Sequence, residues 1–216
     1  MLDQVAHSYG LVACISGRRA LEARRIVGLD SITYVGNHGL EALAPGAREA
    51  LVEPALAPVA SAVGDFARRA YGPELEALGV RAEDKDAIWS FHWRGAPDEP
   101  AAREALQAVA AQADREGLVP QWGRMVLEIR PPVATDKGTA VASALDGMPL
   151  ARALYAGDDT TDLDAFRKLR ALEAAGRIGA LCVGVRSAEG PEAIEREADL
   201  VVDGPEGVAK LLEALA

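Results

Sequence analysis

The sequence predicts an α/β fold built on a parallel sheet, into which a second block of mixed character is inserted. Short apolar runs bounded by glycine and polar residues recur along the chain, as is typical of buried strands. Helix-length segments lie between these runs, and this alternation favours a parallel sheet with helices on both faces. The predicted strands are residues 11–15, 32–35, 153–156, 180–185 and 200–202, and the predicted helices are residues 19–27, 137–145, 162–175 and 207–214.

Residues 42–132 break this alternation and are predicted to form a small α+β domain inserted between residues 1–41 and 133–216. An alanine-rich segment at residues 47–71 predicts a long helix, and residues 101–115 predict an amphipathic helix. Two further segments alternate polar and apolar residues, which predicts strands that bury one face.

These two alternating segments of the inserted block each place a polar row opposite an apolar row. Residues 87–94 alternate large apolar side chains with polar and cationic ones, and residues 124–130 repeat the pattern. Polar rows of this kind suit a hydroxylated anion, because arginine and lysine bind phosphate while carboxylates accept hydrogen bonds from sugar hydroxyls. The alternative is a solvated sheet face with cross-strand ion pairs.

Composition and charge exclude several classes of function. Half of the residues are hydrophobic and 26% are charged, which is typical of a folded globular protein. The formal net charge of -10 argues against binding of a nucleic-acid backbone. Cys14 and Cys182 lie within apolar runs and are interpreted as small buried side chains. Because no basic-then-apolar leader and no apolar run of about 20 residues is found, the sequence predicts a cytoplasmic protein that binds no membrane.

The most informative motif is GDDTTD at residues 157–162, directly after a predicted strand. Ligands of open α/β sheets bind at the carboxyl ends of strands, and clustered hard oxygens there suit Mg²⁺. The motif therefore predicts a magnesium site with Asp158 and Asp162 as candidate ligands. The alternative is that these acids only cap the following helix, since aspartate and threonine are good N-cap residues.

Three weaker motifs lie at the same predicted edge of the sheet. Lys137 begins a helix, where free N–H groups create an anion site, although Asp136 could cap this helix while Lys137 points into solvent. The ISGR motif places Ser16 where its hydroxyl can donate to a phosphoryl oxygen, and SG is also a plain turn signal. The glycines of GNHG bracket Asn37 and His38 in a tight loop predicted to expose both side chains, with a plain turn as the alternative.

Taken in order, the motifs resemble the trehalose-6-phosphate phosphatase family of the haloacid-dehalogenase (HAD) superfamily. The resemblance rests on ISGR, YVGNHGLE, EDK, HWR, GRMVLEIRPP, DKGTA and GDDTTDLDAF, and it runs from about residue 11 to the C-terminus. It implies a HAD-like Rossmannoid core, an inserted α+β cap domain that closes over the sugar, and Mg²⁺ as cofactor. It also implies hydrolysis of trehalose 6-phosphate to trehalose and phosphate. The substrate-binding residues it implies are Gly17, Arg18, Asn37, His38, Glu41, Lys85, His92, Arg94, Arg124, Glu128 and Arg130.

The nucleophile of this family is an aspartate in an N-terminal DxDGT motif, and the aspartate two residues later protonates the leaving sugar oxygen. The resemblance implies that Ser16 binds the transferring phosphoryl group, that Lys137 neutralises it, and that Asp158 and Asp162 serve the metal. These 216 residues contain no DxDGT, and Asp3 lies on a predicted helix. The first core strand is then missing as well. Two neighbouring strands are expected to lack a partner, at roughly 1–3 kcal/mol for each buried unsatisfied backbone group.

Three interpretations follow from the sequence. The leading hypothesis is a phosphomonoester hydrolase that lacks its DxDGT segment, because its start is placed too late or because its gene is truncated, so that this chain alone is inactive. The second is a HAD phosphatase for another sugar phosphate, and the third is a non-catalytic sugar-phosphate binder or a decaying remnant. The sequence carries no indication of oligomeric state.

Overall fold

The computed structural model describes residues 1–52, 57–188 and 190–216. They form two compact units, one containing Met1–Ala50 with Ala134–Ala216 and the other containing Leu51–Val133. The division falls after Ala50 rather than at the residue 42 expected from the sequence, because residues Glu41–Leu43 pair with a strand of the first unit. None of the helices in the described part of the chain is long and apolar enough to cross a membrane.

The helices and strands are numbered in chain order. The helices are α1 (Leu2–Ser8), α2 (Ala20–Val27), α3 (Ala57–Ala70), α4 (Pro73–Ala77), α5 (Glu99–Arg115), α6 (Lys137–Leu145), α7 (Asp162–Ala174), α8 (Glu192–Glu197) and α9 (Gly204–Leu215). The strands are β1 (Ala13–Ile15), β2 (Thr33–Gly36), β3 (Glu41–Leu43), β4 (Leu51–Val52), β5 (Arg81–Asp84), β6 (Trp89–His92), β7 (Val119–Gly123), β8 (Val126–Arg130), β9 (Arg152–Gly157), β10 (Gly179–Arg186) and β11 (Leu200–Asp203). The predicted α/β class is confirmed.

The first unit holds its strands in two sheets rather than in one continuous parallel sheet. β1 pairs with β2 in parallel, as predicted, whereas β3, which was not predicted from the sequence, pairs with β2 antiparallel. β9, β10 and β11 form a separate parallel sheet with β10 in the middle. Within the described ranges no hydrogen-bonded ladder joins β1 to β9, although Ile15 packs against the apolar cluster that contains Tyr155. Both strands therefore keep one unpaired edge within the described part of the chain.

Apolar packing explains why α7 covers the β9–β10–β11 sheet. Leu163, Phe166 and Leu169 recur at helical spacing, and all three are buried against Cys182 of β10. The ring of Phe166 meets Tyr155 of β9 edge to face at a centroid distance of 6.1 Å. This packing fixes the start of α7 at the carboxyl end of β9, where the GDDTTD motif lies.

The second unit is an antiparallel sheet in the order β5, β6, β8, β7, with α3 and α5 on one face. The predicted apolar rows are confirmed in their central residues: Phe91, Leu127 and Ile129 are fully buried and pack against Leu106 of α5. The opposite face of this sheet is left to the polar row.

Three predictions for the second unit need correction. Of the helix predicted for residues 47–71, the structure describes Ala57–Ala70 as α3, Leu51–Val52 form β4 instead, and residues 53–56 lie outside the described residues. Strands β5 and β7 were not predicted, because neither shows a clear apolar alternation. Arg124 and Met125 form the turn between β7 and β8 rather than the start of a strand, and Met125 has a φ of 63°.

Asp199 makes the stability of the first unit depend on pH. Its carboxylate accepts hydrogen bonds from the Cys182 N–H at 2.8 Å and from Arg170 at 2.5 Å, and these bonds lower its pKa. A lowered carboxyl pKa adds stability above the pKa of the unfolded chain, and this stability is lost as pH falls through the folded pKa. We expect Asp199→Asn to reduce the loss of unfolding free energy between pH 7 and pH values below about 4. Urea unfolding at several pH values measures this; an unchanged pH dependence would contradict it.

Candidate active site

The loops that follow β1, β2 and β9 meet the start of α6 in the first unit. The loop after β1 carries Ser16, the turn after β2 carries His38, and the GDDTTD loop follows β9. The His38 N–H donates to the Ser16 carbonyl at 3.1 Å. Gly39 lies against Ala140 of α6, where an added Cβ would be 3.2 Å from the Ala140 Cβ. The structure therefore brings together the motifs that the sequence placed on one edge.

Lys137 connects α6 to the GDDTTD loop. Its Nζ atom lies 2.6 Å from Asp162 Oδ1, and the two side chains are 12% and 4% exposed. Asp136 caps the same helix through a capping box with Thr139. Capping by Asp136 and an inward Lys137 thus coexist, and Lys137 does not extend freely into solvent. Its ammonium group is held at the start of a helix, where an anion is also stabilised by free N–H groups.

The Asp162 carboxylate accepts four hydrogen bonds. Oδ1 accepts from Lys137 and from the Tyr155 hydroxyl at 2.7 Å, while Oδ2 accepts from the N–H groups of Asp158 and Asp159 at 3.1 and 3.0 Å. Burial, together with the Asp162 charge, raises the pKa of Tyr155, so its hydroxyl stays a donor. Asp162 therefore joins β9, the GDDTTD loop and α6. Tyr155 was missed by the sequence analysis, because a tyrosine within an apolar strand gives no sign of a polar contact.

The fit of Mg²⁺ to the predicted ligands is uneven. Asp158 is exposed at the end of β9 and offers its carboxylate, whereas both oxygens of Asp162 are already engaged by protein donors. Across the described ranges, no group of three or more histidine, cysteine, aspartate or glutamate side chains is arranged to hold a metal ion. Asp158 is therefore suited to bind a hard cation directly. Asp162 is suited to hold the GDDTTD loop, which carries Asp158, in place.

The ISGR loop presents the Ser16 hydroxyl in a defined orientation. Ser16 Oγ accepts a hydrogen bond from the Arg18 N–H at 3.1 Å, which leaves its own proton to donate. The Arg18 side chain is 61% exposed and pairs with Glu22. Burial raises the pKa of Cys14, the residue two positions before Ser16, so its thiol stays protonated; the side chain is partly buried, whereas Cys182 is fully buried as predicted.

The GNHG turn differs from its prediction. Asn37 and His38 both adopt left-handed backbone, with φ of 50° and 58°. Asn37 is fully buried, so the prediction that the loop exposes both side chains is wrong for this residue; the side chain turns inward because left-handed backbone at both positions coils the loop tightly. Glu41, which follows the turn, is also buried and accepts a hydrogen bond from the Ala20 N–H at 2.6 Å.

A polar row crosses the sheet of the second unit. Glu83, Ser90, Glu128 and Gln121 occupy matching register positions on β5, β6, β8 and β7. Glu128 Oε1 accepts from Lys85 Nζ at 3.1 Å and from Ser90 at 3.4 Å. Ser90 and Gln121 were not among the predicted site residues; period-two register identifies Ser90, while nothing in the β7 pattern identifies Gln121.

Of the remaining predicted residues of the second unit, two contact members of this row and two lie in turns. Arg130 donates to Gln121, and its burial lowers the pKa of its guanidinium group. His92 lies 2.9 Å from Glu83. Arg94 and Arg124 are exposed and belong to turns, so their backbone does not fix them beside the row.

Comparison with known proteins assigns the chain to a family. The sequence model of the trehalose-phosphatase family matches residues 1–198. The trehalose-phosphate phosphatase of Mycobacterium marinum is 35% identical over 161 residues, covering 72% of this chain and 40% of that protein. The enzyme of that name from Mycobacterium tuberculosis is 32% identical over 212 residues, covering 95% of this chain and 51% of that protein. This chain therefore spans about half or less of the length of these relatives.

Solved structures show the same fold at low sequence identity. The C-terminal domain of Candida albicans trehalose-6-phosphate phosphatase is 22% identical, with a TM-score of 0.66 over 98% of this chain and 81% of that one. A haloacid dehalogenase-like hydrolase from Bacteroides thetaiotaomicron is 16% identical, with a TM-score of 0.66 over 100% of this chain and 90% of that one. These likenesses show a shared fold, and the match of the family model over residues 1–198 shows that the chain belongs to the trehalose-phosphatase family.

Proposed function

We propose that this chain supplies the phosphate-binding and sugar-binding parts of a trehalose-6-phosphate phosphatase, which hydrolyses trehalose 6-phosphate to trehalose and phosphate. The observation that carries this proposal is the buried pair of Lys137 and Asp162 at the strand ends. A lysine held in this way supplies positive charge where a phosphoryl group becomes more negative during transfer, without reorganising at that moment. Family membership and the names of the relatives support the choice of substrate.

In this proposal the residues of the first unit bind and orient the phosphoryl group. Ser16 donates its hydroxyl proton to a phosphoryl oxygen, and Lys137 neutralises the oxygens from the start of α6. The adjoining ISGR loop contributes Gly17 and Arg18. The adjoining GNHG turn contributes Asn37 and His38. Mg²⁺, bound by Asp158, would supply further neutralising charge. Asp162 supports this site by holding the backbone of the ligand loop and the Lys137 ammonium group.

The sugar is proposed to bind the polar row of the second unit. Glu128 accepts from sugar hydroxyls, and Lys85, His92 and Arg130 donate to them, because a polyol needs both kinds of partner. Arg94 and Arg124 are exposed cations at neighbouring turns, and they are proposed as outer contacts. The predicted cytoplasmic location agrees with a small soluble substrate, and it stays a prediction.

The nucleophile is proposed to come from a DxDGT strand that pairs with the free edges of β1 and β9. The two unpaired edges within one unit support this arrangement, since each presents backbone N–H and C=O groups with which a further strand can pair. The test is the upstream reading frame: an in-frame DxDGT segment is expected, and a stop codon between such a segment and Met1 would refute this arrangement.

Phosphate release by the chain extended with that segment tests the function directly. We expect trehalose 6-phosphate to be preferred over glucose 6-phosphate and sucrose 6-phosphate, and Lys137→Ala in the extended chain to abolish release. A preference for either other sugar phosphate would replace the proposed substrate. The 216-residue chain is expected to bind trehalose 6-phosphate with Mg²⁺ in calorimetry without releasing phosphate, whereas absence of binding would favour a remnant.

A further inference from the structure

The carboxylate of Glu41 caps a helix that begins in another loop of the first unit. Glu41 is 4% exposed, and its Oε1 atom accepts a hydrogen bond from the Ala20 N–H at 2.6 Å. Ala20 is the first residue of α2, and the preceding residue, Arg19, makes no side-chain capping bond. Because the first N–H groups of a helix lack intrahelical partners and carry partial positive charge, a carboxylate is stabilised there. Glu41, which lies on β3, therefore caps α2 in the way that the side chain of an N-cap residue usually caps its own helix.

The start of α2 is also the end of the loop that carries Ser16. Two backbone hydrogen bonds from the GNHG turn hold the same loop: Asn37 donates to the Arg18 carbonyl at 2.8 Å, and His38 donates to the Ser16 carbonyl at 3.1 Å. A Cβ atom on Gly17 would lie 2.7 Å from His38 Nε2, so the imidazole ring rests against that glycine. The loop is thus held at its beginning by the turn and at its end by Glu41.

The Glu41 carboxylate reaches the start of α2 through a closely packed region beside Gly36. A Cβ atom at Gly36 would lie 2.3 Å from the Ala20 nitrogen and 2.5 Å from Glu41 Oε1. Only glycine leaves room for the carboxylate to reach α2 at this point. Asn37 and His38 keep left-handed backbone, which residues other than glycine adopt rarely, and the turn is held in this form by its contacts with the loop.

We propose that Glu41 is a positioning residue, which fixes the Ser16 loop by capping α2. This role differs from the substrate contact expected from the sequence, because the carboxylate is buried against the helix. The fixing of the loop stands on the geometry alone. Its importance for phosphate binding rests on the proposed function.

Hydrogen exchange followed by mass spectrometry tests the positioning role in the 216-residue chain. Glu41→Ala is expected to speed exchange in residues 16–20 by about tenfold, because the cap is lost. Glu41→Gln keeps the acceptor and is expected to stay within about twofold of the parent. Glu41→Asp, which withdraws the carboxylate, gives an intermediate change and serves if the alanine variant does not fold. Glu173→Ala is the matched control, since Glu173 accepts from the Ala180 N–H at 2.9 Å.

The outcomes separate positioning from general stability. Faster exchange confined to residues 16–20 in Glu41→Ala, with rescue by Glu41→Gln and no change there in Glu173→Ala, supports the proposal. Unchanged exchange in residues 16–20, or equal acceleration throughout the first unit, overturns it.

The affinity for inorganic phosphate in the presence of Mg²⁺ is then compared between the variants. A loss of affinity of about tenfold in Glu41→Ala, restored in Glu41→Gln, supports the role in ligand binding. Equal affinity in both variants overturns that role, and no binding by the parent chain counts against the proposed function only.

Discussion

Replacing Asp162 with alanine is expected to lower the free energy of unfolding of the first unit by about 3–5 kcal/mol. The Asp162 side chain is 4% exposed and accepts four hydrogen bonds, so its removal leaves a buried ammonium, a hydroxyl and two N–H groups without their acceptor. The ammonium of Lys137 is the largest part of this cost, because a buried charge without a partner is more unfavourable than an unpaired neutral group. We therefore expect Asp162 to be needed for the fold as well as for the site.

The replacement Asp162→Asn makes this prediction sharper. Each carboxylate oxygen receives two donors, so the side-chain amide NH₂ of the asparagine would face two donors in either orientation of the side chain. We expect Asp162→Asn to cost nearly as much as Asp162→Ala, although asparagine has almost the same shape as aspartate. Tyr155→Phe removes one neutral donor and should cost only about 1 kcal/mol.

Local probes make these variants measurable. All three tryptophans, Trp89, Trp93 and Trp122, lie in the second unit, so tryptophan fluorescence reports on that unit alone. Hydrogen exchange within β9 and β10 should report the loss in the first unit. Asp164→Ala is the control, because Asp164 makes only an exposed pair with Arg167 at 3.1 Å. A cost below about 1 kcal/mol for Asp162→Asn would show that the four contacts do not act together.

The helices of the first unit could be predicted from the sequence where their apolar residues follow a regular helical pattern. The bounds of α6 match the prediction, and α7 ends within one residue of it, because their apolar residues recur at helical spacing and pack on a sheet. Strand β3 was missed, since Glu41–Leu43 follows a turn rich in glycine and its pairing depends on left-handed backbone at Asn37 and His38. Such a turn cannot be recognised from residue types alone, because asparagine and histidine adopt left-handed backbone more often than other residues with a side chain but still in only a small fraction of cases.

The candidate site shows the same limit in its chemistry. Motifs identified Lys137 and the GDDTTD loop, because charged groups at helix starts and at strand ends are visible in the sequence. They could not show that Asp162 uses both oxygens on protein donors or that Glu41 turns inward to cap α2, since both facts depend on three-dimensional packing. A motif thus names the residues of a site more reliably than it divides them between ligand contact and support.

Replacing Glu128 with alanine is expected to lower the free energy of unfolding of the second unit by about 2–3 kcal/mol. Glu128 is 14% exposed and lies 3.1 Å from Lys85, which is 13% exposed. Arg130 Nε lies 4.0 Å from the other Glu128 oxygen. Removal of this carboxylate takes a close partner from both cations in a site that water reaches little, and leaves Glu83 at 3.9 Å from Lys85. Tryptophan fluorescence during urea unfolding measures the change, and Glu116→Ala is the control, because Glu116 pairs with Arg69 on the surface.

A double replacement separates stability from ligand binding at this site. Lys85→Met with Glu128→Leu removes both charges of this pair together, so we expect it to cost less than Glu128→Ala, with the remaining cost coming from Arg130, which loses its carboxylate neighbour. The double variant should nevertheless bind trehalose 6-phosphate at least about tenfold more weakly in calorimetry, because methionine and leucine offer the sugar hydroxyls no partners. If the double variant is as unstable as Glu128→Ala, Lys85 and Glu128 are not a coupled pair. If it keeps full affinity, the polar row does not contact the sugar, and the substrate proposal then rests on the first unit alone.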